Sequence, residues 1–216
     1  MITRAPSPDT RVRRHPERAH YDRETVDRVL DECLVCHLGF VAGGRPFVIP
    51  TIHARSDDVV YIHGSNASRM IGSLQNGVEV CLTATIVDGV VLARSAFSSS
   101  MNYRSVCVLG RAEEVTEAAE KETAFAAIVE HIAPGRWADC RHPTPKEVGA
   151  TTVMRLPLAE YSCKVRTGPP IETGDDLDLP FWAGVVPLQL DGRPPEDSPN
   201  LRPGCDRPAY LGSIGR

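Results

Sequence analysis

The chain lacks any long apolar segment, and this absence limits where the protein can act. No apolar run in the 216 residues approaches the about 18 that a membrane-spanning helix needs. The first twenty residues contain no apolar core of a signal peptide. We therefore expect a cytoplasmic protein with no membrane partner. A surplus of positive charge is also lacking, because the formal net charge is −4, and this argues against general nucleic-acid binding.

The cysteines lack the pattern of a disulfide framework. Their number, seven, is odd and their spacing is irregular, which is typical of reduced and mostly buried thiols. The string CLVCH, from Cys33 to His37, matches the C-x-x-C-H signature of covalent haem attachment. That attachment needs export and two exposed thiols. Because the string joins a predicted helix to a predicted strand, we expect burial and no covalent haem. No second Cys/His pair stands at a zinc spacing.

Three segments have the pattern of helices. Asp22 can cap a helix over residues 23–34, in which apolar residues recur at helical spacing. The string ASRMIGSLQNG predicts a short helix that Gly77 closes. The string TEAAEKETAFAAIVEHI predicts a longer helix with Thr116 as its cap. Its expected buried face is Ala119, Thr123, Ala126, Ile128 and Val129.

Apolar segments bounded by turn residues predict the strands. CHLGFV is joined through a Gly-Gly-Arg turn at 43–45 to PFVIPTIHA. We expect Pro50 to interrupt the ladder of this returning strand and to lie at an edge or a bulge, because proline cannot donate to a ladder. VVYIHG, VEVCLTATIVDG and VVLARSA are predicted as separate strands. NYRSVCVLGRAEEV is predicted as a long strand kinked at Gly110, and TTVMRLPLAEYSCKVRTG as one or two more. About six antiparallel strands with peripheral helices predict a mainly β (α+β) fold, a small β-barrel.

Composition divides the chain into three parts. Residues 1–21 form an N-terminal arm that contains five arginines. Residues 22–168 hold the predicted barrel. Residues 169–216 are rich in proline and glycine, with one apolar island, LPFWAGVVPLQL, and are expected to pack on the barrel or on a partner subunit.

The stretch YIHGSNASRM, residues 61–70, carries the clearest ligand signal. A strand there runs through small polar residues into a helix, whose first N–H groups favour an anion. The Ser68 hydroxyl can donate to that anion, and the Arg69 guanidinium can form a bidentate contact with a phosphate. The alternative is that Ser65 or Asn66 only caps the helix and that Arg69 is solvated.

Together with RPFVIPTIHA and NYRSVCVLGRAEEV, this stretch resembles the pyridoxamine 5′-phosphate oxidase-like superfamily of FMN-binding split barrels. The closer similarity is to its flavin-nucleotide-binding branch, which includes nitroimidazole-resistance-type proteins. RAHYDRETVDRVLDE near the start and PFWAGVVPLQLDGRPPEDSPNLRPG near the end extend the similarity from about Arg13 to Leu211. The basic C-terminal strand that marks the vitamin B6 oxidases is missing, so that substrate is not expected.

The resemblance implies a six-stranded split barrel, an FMN cofactor and a homodimer with the flavin in the groove between subunits. It implies four sets of site residues: a strand along the isoalloxazine ring, a turn beside the ring or ribityl chain, a phosphate-binding pair, and a second strand touching the flavin. In the same order these are Val48, Ile49, Pro50 and Thr51; His63, Gly64 and Ser65; Ser68 and Arg69; and Tyr103, Arg104 and Ser105. The C-terminal Trp182 would lie near the partner's ring, or would simply pack on the barrel.

No convincing acid, base or nucleophile stands among these positions, which fits a flavin that performs the chemistry itself. The leading hypothesis is an FMN-dependent oxidoreductase of a small-molecule substrate, with a nicotinamide such as NAD(P)H as possible electron donor. One alternative is a flavin carrier or sensor without turnover. Another is a split barrel that binds haem through His37, His53 or His63. A deazaflavin in place of FMN also stays open.

Overall fold

The computed structural model describes residues 4–214 as two antiparallel sheets with helices around them. Residues 1–3 of the predicted arm and 215–216 of the predicted extension lie outside this range. The α-helices are α1 (Arg23–Glu32), α2 (Arg69–Gln75), α3 (Ala118–Ile132) and α4 (Pro145–Ala150). The strands are β1 (Ala19–His20), β2 (Cys36–Ala42), β3 (Arg45–Thr51), β4 (His53–Ser56), β5 (Val59–Ser65), β6 (Glu79–Leu92), β7 (Ser100–Arg111), β8 (Glu113–Glu114), β9 (Thr151–Pro157), β10 (Glu160–Arg166) and β11 (Gly184–Pro187). Short 3₁₀ turns lie at Pro16–Arg18, Ala96–Ser98, Trp137–Asp139, Gly174–Asp178 and Ala209–Ser213.

The two sheets enclose one main core and form a split barrel. The larger sheet has the order β1-β10-β7-β6-β2-β3, with β11 also paired to β6, and the smaller sheet has the order β4-β5-β9-β8. The core draws fully buried side chains from both sheets and from α1 and α2: Leu30, Leu38, Ile62, Ile71, Leu82 and Leu156. A second apolar cluster joins the outer face of the smaller sheet to α3 through Tyr61, Val153, Ala124 and Ile128. The predicted mainly β fold is confirmed.

The helix predictions hold for α1 and α2 and fail in part for α3. The Asp22 carboxylate accepts the Thr25 N–H at 2.9 Å, and α1 ends at Glu32 because Cys33 is already extended. Gly77, with φ +71°, follows the end of α2 as expected. For α3 the N-cap is Glu117 rather than Thr116. Its buried residues are Ala124 and Ile128, whereas the expected Ala119 and Thr123 are exposed. Alanine and threonine offer little contrast in hydrophobicity, so the predicted face was out of phase.

The strands are divided differently from the prediction. The two segments between residues 79 and 92 are one strand, β6, with a register shift between Val87 and Gly89. The predicted single strand around Gly110 is two: β7 stays in the larger sheet and β8 joins the smaller one. Gly110 has φ +152°, which suits the bend where the chain changes sheets. No helix in the described range is long and apolar enough to cross a bilayer.

Candidate functional site

Strand β3 forms a free edge of the larger sheet. Its pairing with β2 runs from Arg45 opposite Ala42 to Thr51 opposite Cys36. The prediction that Pro50 lies at an edge is therefore confirmed. The expectation that Pro50 interrupts the ladder is wrong, since Pro50 pairs with His37 and the chain leaves the sheet only after Thr51.

The two prolines of β3 leave one N–H for an external acceptor. Proline has no N–H to give to β2, so Pro46 and Pro50 suit positions whose backbone faces the free edge. By the alternation of a strand, Val48 between them faces the same way. Its side chain is 67% exposed. Ile49 instead packs against the main core. The edge thus presents one N–H, at Val48, flanked by carbonyl groups.

The turn before α2 brings the next set of predicted residues close to this core. A side chain at Gly64 would put its Cβ 2.9 Å from Ile71, so glycine permits the close packing of α2 on β5. The first helical hydrogen bond of α2 runs from the Gly72 N–H to the Ser68 carbonyl at 3.0 Å. Ser68 is the N-cap, but its hydroxyl accepts no capping bond. The hydroxyl is therefore free of the helix.

The alternative in which Ser65 or Asn66 caps this helix is wrong. The Ser65 hydroxyl accepts the Ala67 N–H at 3.3 Å, within the turn itself. The Asn66 amide donates to the Gly149 carbonyl at 2.9 Å and accepts from the Thr152 hydroxyl at 2.8 Å. Asn66 thus ties the turn to the start of β9.

Arg69 connects the turn with β3. Its guanidinium lies over the Phe47 ring, with the guanidinium carbon 4.7 Å from the ring centroid. The residue is exposed, and no carboxylate within residues 4–214 pairs with it. The cation–π contact holds the charge beside the β3 edge without neutralising it. Strand β3 and the predicted phosphate-binding pair, separated by a hairpin in the sequence, are neighbours in the fold.

His63 lies on β5 with an unsatisfied nitrogen. Its Nδ1 is buried and has no hydrogen-bond partner, and burial lowers the pKa of the imidazole. The residue lines a cavity of about 290 Å³. The other lining residues are Phe125, Arg141, Pro143, Glu147 and Thr151. A neutral imidazole with a bare polar atom is suited to a ligand or a water at this position.

His53 also has a buried Nδ1 without a hydrogen-bond partner, but it lies in the core and lines none of the described cavities. It is 0% exposed, and its Nε2 lies 2.9 Å from the Leu30 carbonyl. Its ring centroid lies 4.8 Å from that of His131, with the two rings tilted by 52°, and the His131 Nε2 lies 3.0 Å from the Cys33 carbonyl. Burial, with the neighbouring His131, lowers the pKa of His53 to about 4. Both rings thus act as neutral N–H donors that satisfy carbonyls at the end of α1.

The predicted triplet 103–105 is split between two faces of β7. By the alternation of a strand, the Arg104 side chain lies on the same face as those of Asn102 and Val106. Its guanidinium donates to the Asp88 carboxylate at 2.8 and 3.0 Å. It also pairs with Glu32. Tyr103 and Ser105 point to the opposite face. The charge of Arg104 is therefore neutralised by carboxylates of the protein itself, and Tyr103 and Ser105 lie on the other face of the strand.

The sequence reading missed Phe47 and the segment that covers His63. Phe47 lies within the predicted strand, and no local pattern assigns it a role in the site. Helix α4 begins with a complete capping box, in which Thr144 and Glu147 bond to each other's backbone N–H, and Pro145 stands at the first turn. The string TPKE is the sequence signature of that box. This string alone would have been sufficient to predict α4, which the sequence analysis does not include.

Comparison with known proteins places the chain in a family. The family model described as Pyridoxamine 5'-phosphate oxidase matches residues 22–165, two thirds of the chain. The chain belongs to the pyridoxamine 5′-phosphate oxidase-like family. None of the curated proteins compared with it matches.

Two solved structures are similar over nearly their whole length. The flavocytochrome Anf3 from Azotobacter vinelandii is 42% identical with a TM-score of 0.92, covering 98% of this chain and 99% of that one. The FAD and heme binding protein from Mycobacterium smegmatis is 32% identical with a TM-score of 0.87, covering 92% and 97%. A putative 5-nitroimidazole antibiotic resistance protein from Bacteroides thetaiotaomicron shares the fold at 22% identity and a TM-score of 0.59, covering 68% and 86%.

Proposed function

We propose that the protein is an oxidoreductase that binds a flavin nucleotide and a haem. The observation that carries the flavin is the guanidinium of Arg69, which has no carboxylate partner among the described residues and lies 4.7 Å from Phe47 at the edge of β3. The similarity to a flavocytochrome, at 42% identity over 98% of the chain, supports the pair of cofactors.

The residues present fit a flavin phosphate and a ring edge. Ser68 offers an uncommitted hydroxyl and Arg69 an uncommitted charge for the phosphate. Val48 offers an N–H, and the carbonyls beside it can accept from the ring's own N–H. When bound, the flavin supplies hydride or electron transfer. FMN is our first expectation from the sequence, whereas one similar structure is described as an FAD and heme binding protein. The phosphate next to the ribityl chain is common to FMN and FAD.

For the haem we propose that His63 would be the residue that holds the group. Among the three histidines considered, His53 is fully buried and bonded to Leu30. His37 is exposed on β2, opposite Pro50 and Thr83, with no cavity around it among those described. His63 combines a cavity with an unpartnered buried nitrogen. His63→Ala is expected to abolish the haem spectrum, and His37→Ala to leave it intact; the reverse pattern would assign the haem to His37.

We further propose a homodimer in which the C-terminal extension covers part of the flavin groove. Strand β11 fixes the extension to β6, with Val185 opposite Val91. Just before β11, Phe181 and Trp182 are 61% and 66% exposed, although they are large and apolar. Light scattering should give twice the chain mass of 23.5 kDa. A flavin-bound species of one chain mass would contradict this.

The test of the function is the purified protein itself. Its visible spectrum should contain both flavin bands and a Soret band, and mass spectrometry of the released ligands should identify FMN or FAD and haem. Reduction by NADH or NADPH under anaerobic conditions should bleach the flavin and then shift the Soret band. Flavin and haem that are bound but are reduced by neither nicotinamide would favour a carrier or sensor. A deazaflavin, or no flavin at all, would overturn the assignment.

A further inference from the structure

Two cysteines on the outward face of the larger sheet are in direct contact. Cys81 on β6 and Cys107 on β7 lie diagonally across the strand pair, since Cys81 is opposite Leu109 and Cys107 is opposite Thr83. Their Sγ atoms are 3.4 Å apart. A disulfide bond is about 2.0 Å long, so the two sulfurs need to approach by about 1.4 Å.

The other cysteines are arranged differently. Cys33, Cys36 and Cys163 are buried, and burial raises the pKa of Cys36 to about 12 and that of Cys163 to about 11. Cys36 and Cys163 therefore stay protonated and unreactive. Cys140 bonds only to the Trp137 carbonyl, and Cys205 is exposed. Within residues 4–214 the pair 81/107 is the one thiol–thiol contact.

Both sulfurs of the pair are within reach of small molecules. Cys81 and Cys107 are each half-buried. Cys81 lines a cavity of about 560 Å³ together with Phe40, Val48 and Leu109. Cys107 lines another of about 340 Å³ with Thr83 and Ser105. A peroxide can therefore approach from the outward face of the sheet.

The contact also activates one of the two thiols. Either thiol can donate the hydrogen bond that the two sulfurs share; with Cys107 as the donor, the bond lowers the pKa of Cys81 to about 7 and raises that of Cys107. A thiol with its pKa near ambient pH is the most effective attacking group in thiol chemistry. Cys81 is the nucleophile in this arrangement and Cys107 is the resolving thiol.

We propose that Cys81 and Cys107 form a redox-active dithiol that hydrogen peroxide or an organic hydroperoxide converts into a disulfide. The Cys81 thiolate attacks the terminal peroxide oxygen, the O–O bond breaks, and the leaving oxygen takes a proton to become water or an alcohol. Cys107 then attacks the sulfur of the resulting sulfenic acid, the S–O bond breaks, and the hydroxyl leaves as water with the proton of the Cys107 thiol. The two thiols lose two electrons to the peroxide in total. This chemistry does not depend on the proposed flavin or haem.

The experiment is peptide mapping of the full-length protein after limited treatment with hydrogen peroxide and alkylation. We expect one cross-linked peptide pair holding Cys81 and Cys107, lighter by two hydrogens and restored by dithiothreitol. Titratable thiols in denaturant should then fall by two from the seven of the reduced chain. Separate alkylated Cys81 and Cys107 peptides, under conditions that already oxidise the exposed Cys205, would overturn the proposal.

Single substitutions test the order of the two steps. In Cys107→Ser, dimedone should trap a sulfenic acid at Cys81, whereas in Cys81→Ser residue Cys107 should remain a thiol. Cys140→Ser is the matched control and should form the disulfide as the wild type does. Trapping at Cys107 instead, with none at Cys81, would contradict the assigned roles. Peptide mapping of the wild-type protein tests the disulfide even if a variant fails to fold.

Discussion

The end of α1 and the start of α2 differ in how many of their polar groups have hydrogen-bond or ion-pair partners within the protein. At the end of α1, His53 and His131 bond to the carbonyls of Leu30 and Cys33, and nearby Arg104 is paired with two carboxylates. At the start of α2, the Ser68 hydroxyl makes no capping bond and Arg69 has no acid partner in the described part of the chain.

The difference separates groups that hold the fold from groups available to a ligand. A buried polar group without a partner lowers stability, and around α1 the carbonyls of Leu30 and Cys33 and the guanidinium of Arg104 find partners within the protein. An exposed guanidinium over an aromatic ring needs no internal acid, and it can keep its charge for an external anion. We therefore expect substitutions near α1 to change the free energy of unfolding and those near α2 to change flavin affinity.

The largest expected effect is the pH dependence of stability through His53. Its folded pKa of about 4 lies below the ordinary 6.5, so protonation favours the unfolded state. The contribution is complete above about pH 6.5 and is lost as pH falls towards 4, in total on the order of 3 kcal/mol. Urea unfolding of the wild type and of His53→Gln across this range measures it. An equal fall in His53→Gln would show that His53 is not the group responsible.

A smaller loss of stability is expected for Arg104→Ala. The change removes the bonds to Asp88 and Glu32 and leaves two carboxylates close to each other. Because the guanidinium is partly exposed, we expect about 1–2 kcal/mol of destabilisation. The dissociation constant of the flavin, measured on folded protein, should stay at the wild-type value. A loss of flavin affinity in this variant would place Arg104 in the ligand site after all.

The smallest effects should come from the β3 edge. Pro50→Ala adds an N–H facing the free edge, and Thr51→Val removes a hydroxyl while conserving shape. Each is expected to weaken flavin binding roughly two- to fivefold, equivalent to about 0.4–1 kcal/mol. The free energy of unfolding should change little. Fluorescence titration of the apoprotein measures both. Affinity and flavin potential unchanged in both variants would mean that this strand does not line the ring.

Local signals were sufficient to predict that α2 exists and that Gly77 closes it, although Ser65 or Asn66 was considered as its cap and the N-cap is Ser68. The small residues of the turn, Ser68 before the helix and Gly77 after it, are all close in the chain and act through short-range rules. The same rules would have identified α4 from its capping box. The alternation of β7 also implies that Tyr103 and Arg104 face opposite ways, which the family pattern did not convey.

The partners of the arginines could not be predicted because they are distant in the sequence. Asp88 is 16 residues from Arg104, and Glu32 is 72 residues from it. Phe47 meets Arg69 only because β3 and α2 are brought together by the barrel. Which arginine is neutralised and which is left free is a property of the packing. The packing, more than the residue types, therefore determines which arginine can bind a ligand.

The most direct measurement compares FMN with riboflavin on the wild type and on Arg69→Ala. If Arg69 binds the phosphate, the variant should bind FMN about 10- to 150-fold more weakly, corresponding to about 1.5–3 kcal/mol for a charged hydrogen bond. Riboflavin, which lacks the phosphate, should bind both proteins equally. An equal loss for both ligands, or no loss for FMN, would contradict the assignment of the flavin phosphate to the start of α2.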